Sequence, residues 1–390
     1  MRIALVAAEP SGDRLGADLM AELKGAHPQV RFEGIGGPAM ARQGLTSWFP
    51  MEKLSVMGLV EVVRHLPELL ALRRELVRRW LRRPPDLFIG IDAPDFNLNL
   101  ERRLREAGVA TVHYVSPTVW AWREGRVEQI RRAADLVLCI FPFEPDFLRR
   151  HGIAAHYVGH PLAQAYPLEP DTAAARRRLG LAAEAPVLAL LPGSRMGEVA
   201  RMAPPFLGAA QRLARRLPGL RVVTPTATPA TEARFRAQVQ RLAPELAVTV
   251  HPGATADVLT AADLALVASG TATFEALLCK CPMVVGYRLH PLSYGIIRAL
   301  KLVKTPQVAM ANLLADRPLA PELLQGACRA EPLAEALEAL WEDEERRAAI
   351  KAHYLETHRR LRLDAQAGAA AAVLGMLGQD PGKTGPHGRK

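Results

Sequence analysis

Residues 86–100, DLFIGIDAPDFNLNL, join a continuous apolar run to a group of acidic and amide side chains. Apolar runs without polar alternation are typical of strands that helices cover on both faces, as in a parallel sheet. In such sheets, ligands bind at the carboxyl ends of the strands. A carboxylate there, at Asp92, is costly to bury unless it is hydrogen-bonded or in use.

Similar runs extend over the chain in two series separated by helical patterns. The first series predicts strands at 2–8, 31–36, 86–91, 110–115, 135–140 and 155–159. The second predicts strands at 186–191, 220–225, 247–251, 264–269 and 282–287. The sequence therefore predicts an α/β protein with two Rossmann-like domains.

The domain boundary is predicted in the linker at 159–175, where three prolines interrupt any helix. The predicted parts are a first domain (1–165), a second domain (166–345), a C-terminal helical segment (346–377) and a disordered tail (378–390).

Composition excludes several classes of protein. The 390 residues are 49% hydrophobic and carry a net charge of +10, which suits phosphate or acidic-surface partners. Nucleic-acid binding fits poorly, because aromatic residues make up 5% and the arginines alternate with leucines. The four scattered cysteines predict reduced core thiols and no zinc site. The N-terminus lacks a signal-peptide pattern, and no apolar run has the length of a membrane span.

Two loops of the first half carry candidate site residues. Glu9, Ser11, Gly12 and Asp13 follow the first strand, with helix capping by Ser11 or Asp13 as the alternative explanation. The other loop starts at Asp92.

Two loops of the second half resemble anion sites. LLPGSRMGEV (190–199) presents the amides of Gly193 and Ser194 with Arg195, or else forms an ordinary turn. ASGTATFEALL (268–278) places hydroxyls before a helix and Glu275 in its first turn, for ribose hydroxyls or for capping. Neither is a P-loop or a full dinucleotide fingerprint, so ATPase and dehydrogenase functions lose support.

Seven motifs, in this order, resemble the lipid-A-disaccharide synthase family. They are AEPSGD, GIDAPDFN, HYVSPTVWAWR (113–123), LPGSR, SGTATFE, KCPMVVGYR (280–288) and NLLAD (312–316). Pro10 and Ala311 depart from the family pattern. The resemblance implies a GT-B glycosyltransferase, with two Rossmann-like domains facing across a cleft. It would join UDP-2,3-diacylglucosamine to 2,3-diacylglucosamine 1-phosphate through a β-1,6 linkage and release UDP.

Inversion at the sugar requires a base, for which Asp92 is the candidate, and groups that stabilise the leaving diphosphate. No metal or other cofactor is expected, because no Asp-x-Asp pair stands near a donor loop. The catalytic candidates are Asp92, Asp95 and Asp13. The acceptor candidates are Glu9, Ser11, Gly12 and Asn97. The UDP-donor candidates are Gly193, Ser194, Arg195, Ser269, Gly270, Thr271, Thr273, Glu275 and Asn312.

Residues 55–85 form a basic amphipathic segment, with seven arginines against two glutamates over 64–83. Its leucines and arginines predict docking on an anionic lipid surface. The family resemblance implies that this surface is the cytoplasmic face of the bacterial inner membrane. A helix packed on the sheet is the alternative. A soluble UDP-sugar epimerase of the same architecture is the alternative function, and a homodimer is left open.

Overall fold

The protein is described by a computed structural model. It describes residues 1–54, 59–117, 119, 126–289, 307–315, 317–363 and 368–378, with the backbone alone at 52, 59–65 and 363. The motif at 113–123 and the predicted tail therefore lie partly or largely outside the described residues.

Parallel strands alternate with helices along the described chain. The strands are β1 (Arg2–Ala7), β2 (Arg31–Ile35), β3 (Leu45–Ser47), β4 (Leu87–Ile91), β5 (Ala110–Tyr114), β6 (Leu136–Cys139), β7 (Ala155–Tyr157), β8 (Val187–Leu191), β9 (Arg221–Thr226), β10 (Val248–Pro252), β11 (Leu264–Ala268), β12 (Met283–Tyr287) and β13 (Glu322–Leu324). The helices are α1 (Pro10–Ala26), α2 (Pro38–Arg42), α3 (Leu59–Arg82), α4 (Pro94–Glu106), α5 (Val127–Ala133), α6 (Glu144–Arg150), α7 (Pro161–Ala165), α8 (Thr172–Arg178), α9 (Met196–Arg216), α10 (Pro229–Leu242), α11 (Thr255–Ala261), α12 (Thr271–Leu278), α13 (Met310–Ala315), α14 (Ala330–Glu342), α15 (Glu344–Leu363) and α16 (Ala369–Met376).

The strands form two separate parallel sheets. Their orders are β3-β2-β1-β4-β5-β6-β7 and β10-β9-β8-β11-β12-β13. In each sheet the first strand of the series lies centrally, and the chain then winds outward in one direction and afterwards in the other. This doubly wound order confirms the predicted α/β class. Every predicted strand is present, with ends that agree within two residues.

Two strands, β3 and β13, were not predicted. Each has three residues and lies at the edge of its sheet. Their residues are largely exposed or half-buried, so they lack the continuous apolar run that marks a central strand.

The first sheet is covered on both faces. Ile3 and Leu5 of β1 pack in a core with α1 and α16. Ala4 and Val6, which alternate with them, pack in a second core with α3 and α4. Because successive side chains of a strand point to opposite faces, a continuous apolar run supplies both cores.

The chain divides into two compact units. One contains Met1–Pro161 and Leu361–Lys390, and the other contains Leu162–Arg360. The helical segment that the sequence analysis placed at 346–377 is divided between the two units after Arg360. The chain returns to the first unit because α16 buries Val373 and Leu374 in the core shared with α1.

The segment predicted to meet the membrane contains a single long helix, α3. Leu72, Leu76 and Trp80 on one face of this helix are buried. Trp80 packs against the rings of Trp48 and Phe88, with centroids 5.3 and 5.2 Å away. Part of the segment is therefore core, as its spacing of four residues suggests. No helix in the described part of the chain is long and apolar enough to cross a bilayer.

All four cysteines are buried free thiols, as predicted.

Candidate functional site

The predicted site loops lie at the switch points of the two sheets. In the first sheet β1 and β4 are neighbours, and helices α1 and α4 leave them in the two directions of winding. In the second sheet β8 and β11 have the same relation. Ligands of open α/β sheets bind at this point because the loops diverge there and leave a crevice. The candidate residues follow these four strands, except Asn312, which lies on α13 after β12.

Asp92 stands at the end of β4 in a conformation that is rare for residues with side chains. Its φ is 52°, that of Ala93 is 43°, and that of Val115 at the end of neighbouring β5 is 76°. Such left-handed conformations cost free energy and cluster at functional sites. The Asp92 side chain is half-buried, so it remains accessible to a substrate.

Asn97 holds this strained turn. Its side chain is fully buried, and its Nδ2 donates to the carbonyl oxygens of Asp92 at 2.9 Å and of Ile91 and Val6 at 3.3 Å. The sequence analysis assigned Asn97 to acceptor hydroxyls. In the structure its amide binds the backbone at the ends of β1 and β4.

The Asp13 side chain is also hydrogen-bonded to the backbone. Its carboxylate accepts hydrogen bonds from the amides of Gly37 (2.8 Å), Ala39 (2.9 Å) and Met40 (3.0 Å), and the side chain is buried. The carboxylate therefore caps α2, whereas the alternative in the sequence analysis had it cap its own helix. This arrangement gives Asp13 a role in fixing the chain after β2.

The remaining candidates of the loop after β1 lie close to one another. Glu9 precedes α1 and is half-buried, Ser11 is exposed, and Gly12 is buried. A Cβ at Gly12 would lie 3.4 Å from Cγ2 of Ile91, so α1 packs closely on the end of β4. Pro10 is the first residue of α1, where a missing N–H costs nothing.

Asp95 lies on the surface, with 81% of its side chain exposed, and pairs with Arg126 at the start of α5. Asp95 is therefore close to Asp92 in sequence, but its observed partner is Arg126 and not Asp92.

In the second unit, the first turn of α9, after β8, contains Glu198, an acidic residue that the sequence analysis did not single out. Glu198 Oε2 accepts hydrogen bonds from the amides of Ser194 at 3.2 Å and Arg195 at 3.4 Å. Gly193 has a φ of 119°, and a Cβ there would lie 2.5 Å from Cβ of Glu198. Of the two amides predicted to bind diphosphate, that of Ser194 therefore already binds a carboxylate. Arg195 is the N-cap of α9, and Glu198 follows it by three residues, which is the spacing of a capping box. This spacing was the signal in the sequence that could have identified Glu198.

The loop after β11 is arranged differently. Within the described residues no side chain caps the N-terminus of α12, where Gly270 and Thr271 are exposed and Ser269 is half-buried. The Thr273 hydroxyl is buried, donates to the Gly270 carbonyl at 2.8 Å and accepts from the Met310 amide at 3.1 Å. An exposed, uncapped helix N-terminus favours an anion.

Glu275 lies on the same helix, half-buried. Its Oε1 accepts a hydrogen bond of 2.8 Å from the hydroxyl of Tyr166, a residue that the sequence analysis did not assign. Burial raises the pKa of the Glu275 carboxyl, and the Tyr166 hydrogen bond opposes this in part.

Asn312 is buried and its amide is used by the protein. Its Nδ2 donates to Ala320 O and Glu322 Oε1, and its Oδ1 accepts from the Ala320 amide, each at 2.8 Å. Glu322 also accepts from the amides of Val308 and Ala309. These contacts tie α13 to β13, and the contact of Asn312 with UDP stays a prediction.

Among the described residues no group of three or more His, Cys, Asp or Glu side chains is placed to hold a metal ion. The expectation that the protein works without a metal remains a prediction.

Two doubly wound parallel sheets with polar loops at their switch points define the GT-B class of α/β enzymes. Solved structures of this class resemble the chain over nearly its whole length. UDP-GlcNAc 2-epimerase from Neisseria meningitidis bound to UDP-GlcNAc aligns with a TM-score of 0.60 at 11% identity, covering 97% of this chain and 99% of that one. The glycotransferase of kitacinnamycin aligns with a TM-score of 0.61 at 17% identity, with the same coverage. These likenesses establish the fold.

The chain belongs to the lipid-A-disaccharide synthase family, because the family model described as lipid-A-disaccharide synthetase matches residues 3–374. It is 51% identical over 375 residues to lipid-A-disaccharide synthase of Sodalis glossinidius, covering 96% of this chain and 98% of that one. It is 52% identical over 377 residues to the synthase of Pseudomonas aeruginosa (strain LESB58), covering 97% and 98%. The protein is therefore a glycosyltransferase of lipid A biosynthesis with a UDP-sugar donor and a lipid acceptor, and the epimerase alternative is not favoured.

Proposed function

We propose that the protein joins UDP-2,3-diacylglucosamine to 2,3-diacylglucosamine 1-phosphate with inversion, forming a β-1,6 linkage and releasing UDP. The observation that carries this proposal is Asp92, a half-buried carboxylate in a strained turn at the switch point of the first sheet. A partly accessible carboxylate at the carboxyl end of a central strand suits a general base, and the family membership supports the substrate classes.

In the proposed reaction, Asp92 takes the proton of the acceptor 6-hydroxyl while that oxygen attacks the anomeric carbon of the donor. The bond from this carbon to the diphosphate oxygen breaks, and the electron pair leaves with UDP. Glu9 and Ser11, in the loop after β1, lie at the same switch point and contact the acceptor. Asp13 and Asn97 hold the backbone around it.

The diphosphate binds in this proposal at the N-terminus of α12, which is exposed and uncapped in the described structure. Gly270 and Thr271 provide amides, and Arg195 provides a guanidinium that is 67% exposed. These groups stabilise the charge that develops on UDP, so the proposed reaction does not require a divalent metal. Glu275 accepts the ribose hydroxyls through the carboxylate oxygen not bound to Tyr166.

We further propose that the outer face of α3 docks on an anionic membrane surface. Among the described residues, two of the three exposed large hydrophobic side chains, Leu66 and Leu81, lie on this helix. A cavity of about 550 Å³ on this face is lined by leucine, valine and five arginines, namely Leu70, Arg73, Arg74, Val77, Arg78, Leu81, Arg82 and Arg103. We call these residues, with Leu66 and Leu69, the α3 surface.

Crowded positive charge supports an anionic partner. Burial lowers the pKa of Arg73, and the nearby guanidinium groups of Arg103 and Arg74 lower it further. Anionic headgroups relieve this repulsion, while the leucines enter the acyl boundary. The cytoplasmic leaflet of the inner membrane provides such headgroups, and we place the enzyme there.

The test of the reaction is Asp92→Asn, which keeps the shape of the side chain and removes the base. We expect turnover to fall by roughly 10² to 10⁴-fold, with donor binding nearly unchanged. UDP release from the two acylated glucosamine substrates measures turnover, and calorimetric titration with the donor measures binding. Asp146→Asn, on the surface of α6, is the charge-matched control and should retain activity. If the Asp92 variant kept near wild-type turnover, Asp92 would not be the base, and another carboxylate would have to take that role.

A further inference from the structure

A pair of ionisable side chains is buried behind the Asp92 turn. His113 on β5 and Glu101 on α4 are both 0% exposed. The His113 Nδ1 lies 2.7 Å from Glu101 Oε1, a hydrogen-bond distance. Neither side chain can reach a substrate.

The local sequence makes room for this pair. Gly90 of β4 pairs with His113 across the sheet. A Cβ at position 90 would lie 2.0 Å from Glu101 Oε1 and 2.9 Å from Cβ of Asn97. Glycine at this position therefore allows α4 to place Glu101 directly over the sheet.

A buried pair of this kind is weak evidence for a stabilising role. Two buried ionisable groups lose their hydration, and apolar side chains of similar volume are often equally stable or more stable at such a position. We therefore expect the buried Glu–His pair to have a function that apolar side chains of similar volume could not perform.

The pair joins the same two elements that hold Asp92. The Asp92 amide donates to the carbonyl of Tyr114, the residue after His113, at 2.8 Å. Asn97, one helical turn before Glu101, donates to the Asp92 carbonyl at 2.9 Å. The Asp92 turn is thus fixed to β5 on one side and to α4 on the other, and the hydrogen bond between Glu101 and His113 ties β5 to α4 beneath it.

The charges have the sign expected for such a role. Burial lowers the pKa of His113, but the carboxylates of Glu101 and Asp92 raise it by more, so the net shift is upward. Burial raises the pKa of Glu101, and the interaction with His113 only partly opposes this.

We propose that Glu101 and His113 are positioning residues of the transferase, and that their buried hydrogen bond fixes the strained Asp92 turn in its reactive orientation. The inference rests on the proposed role of Asp92 as the base. The pair touches no substrate and acts only through Asp92. Its loss should therefore lower the rate of sugar transfer while leaving donor binding intact.

The first experiment replaces both members by leucine, Glu101→Leu with His113→Leu, so that packing is kept and the hydrogen bond is removed. We expect a melting temperature at or above that of the wild type, a kcat lower by about 10²-fold, and an unchanged KM for the UDP-sugar donor. Val112→Ala, in the same strand, is the control for simple destabilisation: its melting temperature should fall while its kcat is kept. A folded double variant with wild-type kcat would overturn the inference.

The second experiment uses Glu101→Gln and His113→Asn, which keep the shape near the hydrogen bond and serve if the leucine variant does not fold. The inference expects each to retain more activity than the leucine pair and to lower kcat, not donor affinity. Wild-type kcat in both folded variants would overturn it.

Each of these variants is then combined with Asp92→Asn. If the pair acts through Asp92, the second change should add no further loss, whereas fully additive losses would show a separate structural effect and contradict the inference. Failure of the proposed function is distinguishable, because Asp92→Asn alone would then keep its turnover.

Discussion

At residue scale, Glu198 changes how the donor site is understood. Its carboxylate caps α9 by accepting hydrogen bonds from the amides of Ser194 and Arg195. Those amides would otherwise be suitable for a phosphate. In the donor site we propose, the negative charge of Glu198 beside Arg195 opposes the diphosphate.

Glu198→Gln should improve donor binding. The amide oxygen of glutamine keeps an acceptor for the same N–H groups, while the charge that repels diphosphate is removed. We expect the donor KM to fall by about five-fold, equivalent to ~1 kcal/mol, with little change in kcat. Steady-state UDP release with varied donor measures this. Glu232→Gln, which breaks a surface pair with Arg236, removes the same charge elsewhere and should leave KM unchanged. A higher donor KM in the Glu198 variant would show that its carboxylate assists the donor.

At the scale of an element, α3 has two different faces. On one face, its own residues Leu72, Leu76 and Trp80 are buried in the core. The indole Nε1 of Trp80 donates a hydrogen bond to Glu33 at 3.0 Å. Of the α3 surface, Val77 belongs to this core, whereas Leu66 is 45% and Leu81 46% exposed. One helix therefore contributes to the core and also presents a basic, leucine-rich surface.

The two faces should respond differently to serine. Leu66, Leu69 and Leu70 changed together should release the protein from anionic vesicles but preserve a cooperative thermal transition, because these side chains are exposed or half-buried. Leu72 and Leu76 changed to serine form the control, and each should cost on the order of 2–5 kcal/mol because both are buried. Vesicle co-sedimentation and melting temperature are measured on the same preparations. A triple variant that still sediments with vesicles, or that melts early, would contradict docking by the α3 surface.

At the scale of the whole molecule, the chain closes its first unit with its last described helix. The amide of Ala370 donates to Glu22 of α1 at 3.3 Å, and α16 buries Val373 and Leu374 in the core of the first sheet. Residues 1–165 alone would lack this cover, since α16 is contributed from more than two hundred residues further along the chain.

A chain ending at residue 367 should therefore have a weakened first unit. Exposure of the surface that Val373 and Leu374 cover removes about 3–6 kcal/mol of hydrophobic stabilisation. Calorimetry and limited proteolysis should show earlier unfolding and cleavage within 1–161. A chain ending at Gly378 retains every described residue and serves as the control. Equal melting of the two truncated chains would mean that α16 is dispensable.

Much of the fold could be predicted because its signals are local. Continuous apolar runs marked the central strands, and the polar residues after them marked the ends of β1, β4, β8 and β11. Carboxyl ends of parallel strands lie at one edge of a sheet, so sequence order was enough to bring these loops to the switch points. The sequence by itself thus determined the two sheets, the candidate loops and, through its motifs, the family.

The tertiary structure decided which polar groups are already in use. It assigned Asp13, Asn97 and Asn312 to backbone partners, and it brought Glu101 and His113 together inside the core. It also returned α16 to the first unit. These outcomes depend on contacts between elements that are distant along the chain. A residue type and its neighbours show which hydrogen bonds a side chain can make, but only packing determines which partners are near and whether water can compete for them.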